Sequence, residues 1–403
     1  MTTIKKVSLE QLRVGMYVTR VDEARAAGAN LRAQGLITRE DTIERFRQQG
    51  MLECFIDTAK GNDCSEGIPL DQLHHTKTPE APFPECDEDF PSPRVAYEEE
   101  RDNAVRVRDK ALRLVSDVMH DVKMGRSIDR QAVDDIALEI TESLVNNQNA
   151  LLSLMYMGNK DEYLLEHSMN VAVLMGVLAR SLGYRGEELH HMVLGAFVHD
   201  VGKIRVPESI LHKPGKLELA EWEEMKRHVD YGIEALSTIE NFPDIAMAIC
   251  SEHHERLDGT GYPFSRSAAQ ISQQGRMGAV VDVYDAITSD RVYHQGLEPN
   301  AALKKMLEWS GDHLDRELVY QLIRCVGVYP AGSLVQLASG HVAVVLEVCT
   351  RQPAQPRVKL VYDGNRQQRI SEKVVSLADT DLYGQIMKAV APSEFGLNVR
   401  DYL

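Results

Sequence analysis

"YLLEHSMNVAVLMGVLARSL" (163–182) and "MVLGAFVHDVGK" (192–203) are long apolar runs, each interrupted by histidine. Neither alternates apolar and polar residues as a half-buried strand would. From about 150 to 325 similar segments follow one another, broken by Gly and Pro, and this reads as an all-α domain. The longest apolar runs, such as "VAVLMGVLA" (171–179), are too short to span a bilayer.

His167 sits inside the first run, and His199 and Asp200 close the second. The pattern recurs at His228 in "EMKRHVDYGIEAL", at His253 and His254 ending "IAMAICSEHH", and at Asp282 in "RMGAVVDVYDAIT". A buried polar group needs partners. One such histidine alone is ordinary hydrogen-bonded core. Seven His and Asp side chains in one helical domain are instead the ligand types of Zn, Mn and Fe. Two octahedral ions with one bridging aspartate and waters would use them all. Neighbours on a helix point about 100° apart. His199-Asp200 and His253-His254 therefore converge only at helix ends, and Gly202 and Gly259 supply the stops. Lys203, four residues past His199, faces the same site and suits a phosphate oxygen, although most lysines are simply exposed.

The bulk numbers bound what surrounds this site. A chain of 403 residues suits two or three domains, and 43% hydrophobic with 26% charged residues is a globular balance. The net charge of −16 argues against DNA as a partner. An anionic substrate would need local positive charge, which metal ions would supply. Six scattered cysteines without a CxxC pair read as reduced thiols of a cytoplasmic protein. "MTTIKKVSLEQL" (1–12) lacks the apolar core of a signal peptide, so neither export nor membrane insertion is expected.

The expected fold is mainly α: an all-α domain flanked by a small α+β unit and a β-rich tail. Residues 1–62 read as a small regulatory domain of short strands, a helix over 38–50 capped by Thr38, and a strand at "LECFID" (52–57). Residues 63–95 are an acidic, Pro-rich linker. Residues 96–149 hold two amphipathic helices, the first ending near Gly125 and the second capped by Ser127. These helices suit core packing or the pairing of two chains. Residues 150–325 form the helical domain, and 326–403 alternate apolar and polar residues around Gly turns as a small β unit.

Several separated motifs occur in order: "GAFVHDVGKIRVPESIL", "KPGKL", His228, "HHERLDGTGYP" and "DVYDAITSDRVY". Together they resemble the HD-GYP family of bacterial cyclic di-GMP phosphodiesterases, a branch of the HD superfamily of metal-dependent phosphohydrolases. The first unit is similar, more loosely, to a domain of unknown function often found ahead of that family. The resemblance implies that His167, His199, Asp200 and Asp282 hold one ion. Asp200 would bridge to a second ion held by His228, His253 and His254. The ions would be divalent transition metals, iron or manganese first, with zinc, nickel, cobalt and magnesium as alternatives. Asp200 and Lys203 would act in catalysis, Lys203 on a substrate phosphate. Asp285 would orient ligands or substrate, and Arg291 would clamp a phosphate bidentately. Gly261, Tyr262 and Pro263 would form a stiff substrate-binding loop beside the metals, and Glu255 would brace the site behind a metal ligand.

The implied reaction opens cyclic di-GMP to linear pGpG, and perhaps on to GMP, through a hydroxide activated by two metals. Homodimerisation or signalling partners would use residues 1–62 or 96–149. The sequence also departs from the family. Tyr163 stands where some members carry a third-metal glutamate, so two metals are expected. His294 replaces a usual Arg or Lys, and "FSRSAAQISQQGRM" (264–277) lacks the common turns. A weak or inactive cyclic di-GMP sensor or docking protein, and an HD phosphohydrolase for another nucleotide, are the alternative readings.

Overall fold

The computed structural model describes residues 4–8, 11–19, 35–39, 41–43, 53–64, 67–69, 92–155, 163–289, 296–348, 352 and 354–403. Two compact units divide at Glu85 and Cys86.

In the first unit, short runs rich in Val, Ile, Phe and Tyr pair as β1 (Ile4–Ser8), β2 (Tyr17–Thr19), β3 (Gly35–Leu36), β4 (Glu53–Asp57) and β5 (Ile68–Pro69). The sheet order is β3-β2-β4-β1-β5, antiparallel throughout. Val7, Leu12, Val18, Ile37 and Ile56 form its core. β5 falls where the sequence suggests linker. It is an edge strand paired with β1, and Pro69, which lacks an N–H, is tolerated at such an edge. The unit therefore extends beyond residue 62. Of the helix expected over 38–50, only 41–43 lie among the described residues, and they are helical.

The second unit opens with α1 (Tyr97–Lys123) and α2 (Arg130–Leu154). Val107, Ala111, Val115, Val118, Met119 and Val122 recur at three- and four-residue steps and bury one face of α1. α2 is capped by the Asp129 side chain, which accepts from the Ala132 amide; Ser127 does not cap it. α2 also runs through residue 150, where the sequence suggests a boundary, and it breaks at Asn147 (φ −156°, ψ 101°). The buried Arg180 guanidinium donates to the Leu144 carbonyl beside the break and to Gln148 Oε1 at 3.1 Å. Both helices share one apolar core with the helices that follow, so they belong to that domain.

Next come α3 (Tyr163–Ser181), α4 (Gly186–Val198), a 3-10 turn (Val201–Arg205) and α5 (Glu208–Leu211). They are followed by α6 (Leu219–Lys226), α7 (His228–Ser237), α8 (Asp244–Glu252), α9 (Gln273–Thr288), α10 (Pro299–Trp309) and α11 (Arg316–Val326). α3 packs on α4 and α9, α8 packs on α4 and α9, and α7 packs on the 3-10 turn. The chain closes with β6 (Leu334–Leu337), β7 (His341–Glu347), β8 (Arg357–Asp363), β9 (Gln368–Ser376) and β10 (Ile386–Ala389). Their order is β10-β6-β7-β8-β9, antiparallel. Val342, Val344 and Leu346 join the helical core, whereas Ala343 and Val345 join a second cluster with Val358 and Leu360. Both faces of β7 are thus covered, and the tail is fastened to the helices. No helix among the described residues is long and apolar enough to cross a membrane.

Candidate metal centre

Each of the seven polar residues sits where its helix lets it point inward. His167 lies on α3, Asp282 on α9 and His228 at the start of α7. His199 and His253 are the C-caps of α4 and α8, so Asp200 and His254 follow on backbone that is leaving the helix. Gly202 makes this turn fit. A Cβ there would meet the His228 carbonyl oxygen and the Gly232 amide nitrogen, both backbone atoms. Only glycine lets the His199-Asp200 turn lie against α7.

Two groups result: His167, His199 and Asp282; and Asp200, His228, His253 and His254. In each, one ligand atom per residue lies within 4.8 Å of the others. Asp200 lies between them. Its Oδ2 is 3.3 Å from His167 Nε2 and 3.4 Å from His199 Nε2. Its Oδ1 is 3.3 Å from His228 Nε2 and 3.8 Å from His253 Nε2. Asp282 also reaches both groups, with Oδ1 3.0 Å from His167 Nε2 and Oδ2 3.6 Å from His254 Nδ1.

The distribution of hydrogen bonds tests whether these residues suit cations. In four of the histidines the far nitrogen is held: Nδ1 of His199 by the Ala196 carbonyl at 2.7 Å, of His228 by the Met225 carbonyl at 2.7 Å, and of His253 by the Cys250 carbonyl at 2.9 Å. His167 Nδ1 meets Asp285 Oδ2 at 2.6 Å. Nε2 of His167, His199, His228 and His253, with Asp200 Oδ1, is buried without a hydrogen-bond partner. Five orphaned polar atoms in one place would be costly in an ordinary core. Rings oriented through Nδ1 with Nε2 lone pairs facing a shared carboxylate form a donor set that fits divalent cations.

The charges agree with that fit. Burial, with His199 nearby, pushes His253 down to about 3, so its ring is neutral. Burial and the adjoining His253 hold His254 well below the usual imidazole range. Burial opposes the charge on Asp200, but Lys203 and His199 outweigh it and keep the carboxyl ionised. Lys203 Nζ contacts Asp200 Oδ2 directly.

The comparisons with known proteins bear on the same residues. A model described as an HD domain matches residues 150–318, and one described as a domain of unknown function (DUF3391) matches 4–133. The chain is 37% identical to a cyclic di-GMP phosphodiesterase of Pseudomonas aeruginosa over 93% of its own length and 89% of that protein's. The chain belongs to the HD-GYP family of cyclic di-GMP phosphodiesterases. Two further relatives match over less of the chain. One is the cyclic di-GMP phosphodiesterase response regulator RpfG of Xanthomonas campestris pv. campestris, 40% identical over 40% of this chain and 42% of that protein. The other is the 3'3'-cGAMP-specific phosphodiesterase 2 of Vibrio cholerae, 35% identical over 39% of this chain and 30% of that protein.

Around the HD-GYP centre, the loop residues have distinct surroundings. Tyr262 packs over His254 with ring centroids 4.6 Å apart, and its amide donates to the His254 carbonyl at 3.2 Å. A Cβ on Gly261 would meet the backbone of Glu255 and Arg256. Glu255 lies under this loop, accepting from the Phe264 amide at 2.7 Å and the Arg266 amide at 2.9 Å. It holds the loop's backbone and none of the histidines. Pro263 follows a cis peptide. Tyr163 stacks on His167 at 5.6 Å. Arg291 and His294 lie outside the described residues.

Asn170 and Glu252 are buried residues that the sequence does not single out, and Glu166 is one it sets near the site but off the ligand position. Asn170 donates to Asp285 Oδ1 at 2.9 Å, and its place three residues after His167, on the same helix face, was the available signal. Glu252 is buried, accepts from Ser272 N at 2.8 Å and Ser272 Oγ at 2.6 Å, and pairs with Arg266. Glu166 is buried against Arg108 of α1. The partners of the last two lie far off in sequence and leave no local signature.

Proposed function

We propose that this HD-GYP protein hydrolyses cyclic di-GMP to linear pGpG, in the cytoplasm, at a centre of two divalent transition-metal ions, iron or manganese. One observation carries the reading: Asp200 turns one carboxylate oxygen toward His167 and His199 and the other toward His228 and His253, and the facing Nε2 atoms of all four make no hydrogen bond. His167, His199 and Asp282 would hold one ion, and His228, His253 and His254 the other, with Asp200 shared. Two such ions, when bound, neutralise a diester phosphate and lower the pKa of a water.

The chain's own groups supply the rest. Asp285, itself held by Asn170, orients His167 through Nδ1 and fixes which nitrogen faces inward. Lys203 places an ammonium beside Asp200, where a phosphate oxygen would arrive. Arg291 is assigned as the bidentate phosphate clamp. The Gly261-Tyr262-Pro263 loop, held by Glu255, covers His254 and limits entry of bulk water.

The test is product chromatography of manganese- or iron-loaded protein incubated with cyclic di-GMP. Linear pGpG from the wild type and none from Asp200→Ala is the expected result. Tight binding without turnover would favour a sensor. The Vibrio relative named for 3'3'-cGAMP supports one rival substrate. A parallel incubation with that nucleotide decides between them: faster cleavage of 3'3'-cGAMP would replace the reading.

A further inference from the structure

α6 (Leu219–Lys226) buries none of its residues, yet it carries a tryptophan. Trp222 is 43% exposed. A single exposed apolar side chain is ordinary on a protein surface, and this one is distinguished by the ring it meets. Trp222 faces inward along the surface, toward the metal centre. Its ring meets that of Tyr262 with centroids 6.0 Å apart and planes at 84°. Tyr262 in turn lies over His254 at 4.6 Å. Three rings therefore run from a candidate ligand out to solvent, and the outer two form a right-angled corner.

α6 is held in register for this. Glu218 and Glu221 form a reciprocal cap at its start, and Lys213 bonds Glu221 Oε2 at 2.5 Å. Trp222 is thus presented from a fixed turn. A flat, weakly hydrated π-surface is what this corner would receive: one face against the open indole and one edge against the phenol. Bases stack on aromatic side chains with little regard to sequence.

We propose that Trp222, with Tyr262, forms a stacking shelf for a purine base of the substrate, setting specificity for nucleobase-bearing diesters over simple ones. The inference rests on the proposed phosphodiester chemistry of the neighbouring centre. The shelf would anchor the nucleoside while the phosphate lies at the metals. Trp222 touches no candidate ligand, so its role is in recognition.

The test compares manganese-loaded wild type, Trp222→Ala and Trp222→Phe on cyclic di-GMP and on bis(p-nitrophenyl) phosphate, a diester without bases. Trp222→Ala should raise KM for cyclic di-GMP roughly tenfold, the loss expected for one stacked base. Activity on the base-free diester should stay within about twofold, and Trp222→Phe should recover most of the loss. A second readout is fluorescence. The chain has two tryptophans, so in a Trp309→Phe background Trp222 is the sole emitter. GMP should quench it and ribose 5-phosphate should not. Equal losses on both diesters, unchanged kinetics, or no quenching by GMP would overturn the shelf. If the wild type cleaves the base-free diester but not cyclic di-GMP, the substrate assignment fails, and the GMP quenching still decides whether a base stacks here.

Discussion

Asp285 gives one oxygen to His167 Nδ1 at 2.6 Å and the other to Asn170 Nδ2 at 2.9 Å and Ser289 Oγ at 3.2 Å. Its carboxylate is buried, where a hydrogen bond is electrostatically stronger than in water. Asp285→Asn keeps the shape and removes the charge. Metal affinity should fall about 10- to 100-fold, the usual loss for a partner that orients a ligating histidine. Titration with manganese against a chelator would measure it. At this scale much was legible. His167, His199, Asp200, His228, His253, His254 and Asp282 are polar residues inside or at the ends of apolar helices, a pattern visible without coordinates. Asn170, Glu252 and Trp222 do not stand out in this way. A polar residue beside a ligand, or an aromatic on a short helix, looks like any other until its partner is known.

At the scale of elements, the site depends on how closely the His199-Asp200 turn approaches α7. A Cβ on Gly202 would strike the His228 carbonyl and the Gly232 amide, neither of which moves without moving the helix. A Cβ on Gly232 meets only ordinary contacts, its nearest atom the Gly202 amide nitrogen at 3.7 Å. Gly202→Ala should therefore cost about 1–3 kcal/mol by overpacking and weaken metal binding. Gly232→Ala should be neutral or gain up to about 1 kcal/mol from helix propensity. Urea unfolding midpoints of the two variants check the pair. The helices themselves were readable because their apolar residues recur every three or four positions. The break in α2 was not. It is held by Arg180, by Asn147 Nδ2 to Glu347 Oε1 at 3.1 Å, and by the Val348 amide to Asn149 Oδ1 at 3.2 Å. Two of these three partners lie about 200 residues away along the chain. The capping of α2 by Asp129 instead of Ser127 is a local choice between two good caps, which packing decides.

Across the whole molecule, the sequence suggests cuts at 62/63, 95/96, 149/150 and 325/326, and the structure divides into two units at 85/86. β5 extends the first sheet to Pro69, α2 runs through residue 150, and β7 shares the helical core. Local composition marks where a chain becomes polar or alternating, but it does not report which cores merge. The net charge of −16 and the handling of an anionic substrate are reconciled if positive charge is concentrated in one place, at two ions sharing Asp200. The direct test is the metal content of purified, manganese-reconstituted protein by inductively coupled plasma mass spectrometry, beside Asp200→Ala. About two ions per chain are expected in the wild type, from seven ligands with one shared carboxylate, and fewer than one in the variant. One ion per chain in the wild type, or two retained without Asp200, would contradict a two-ion centre sharing Asp200.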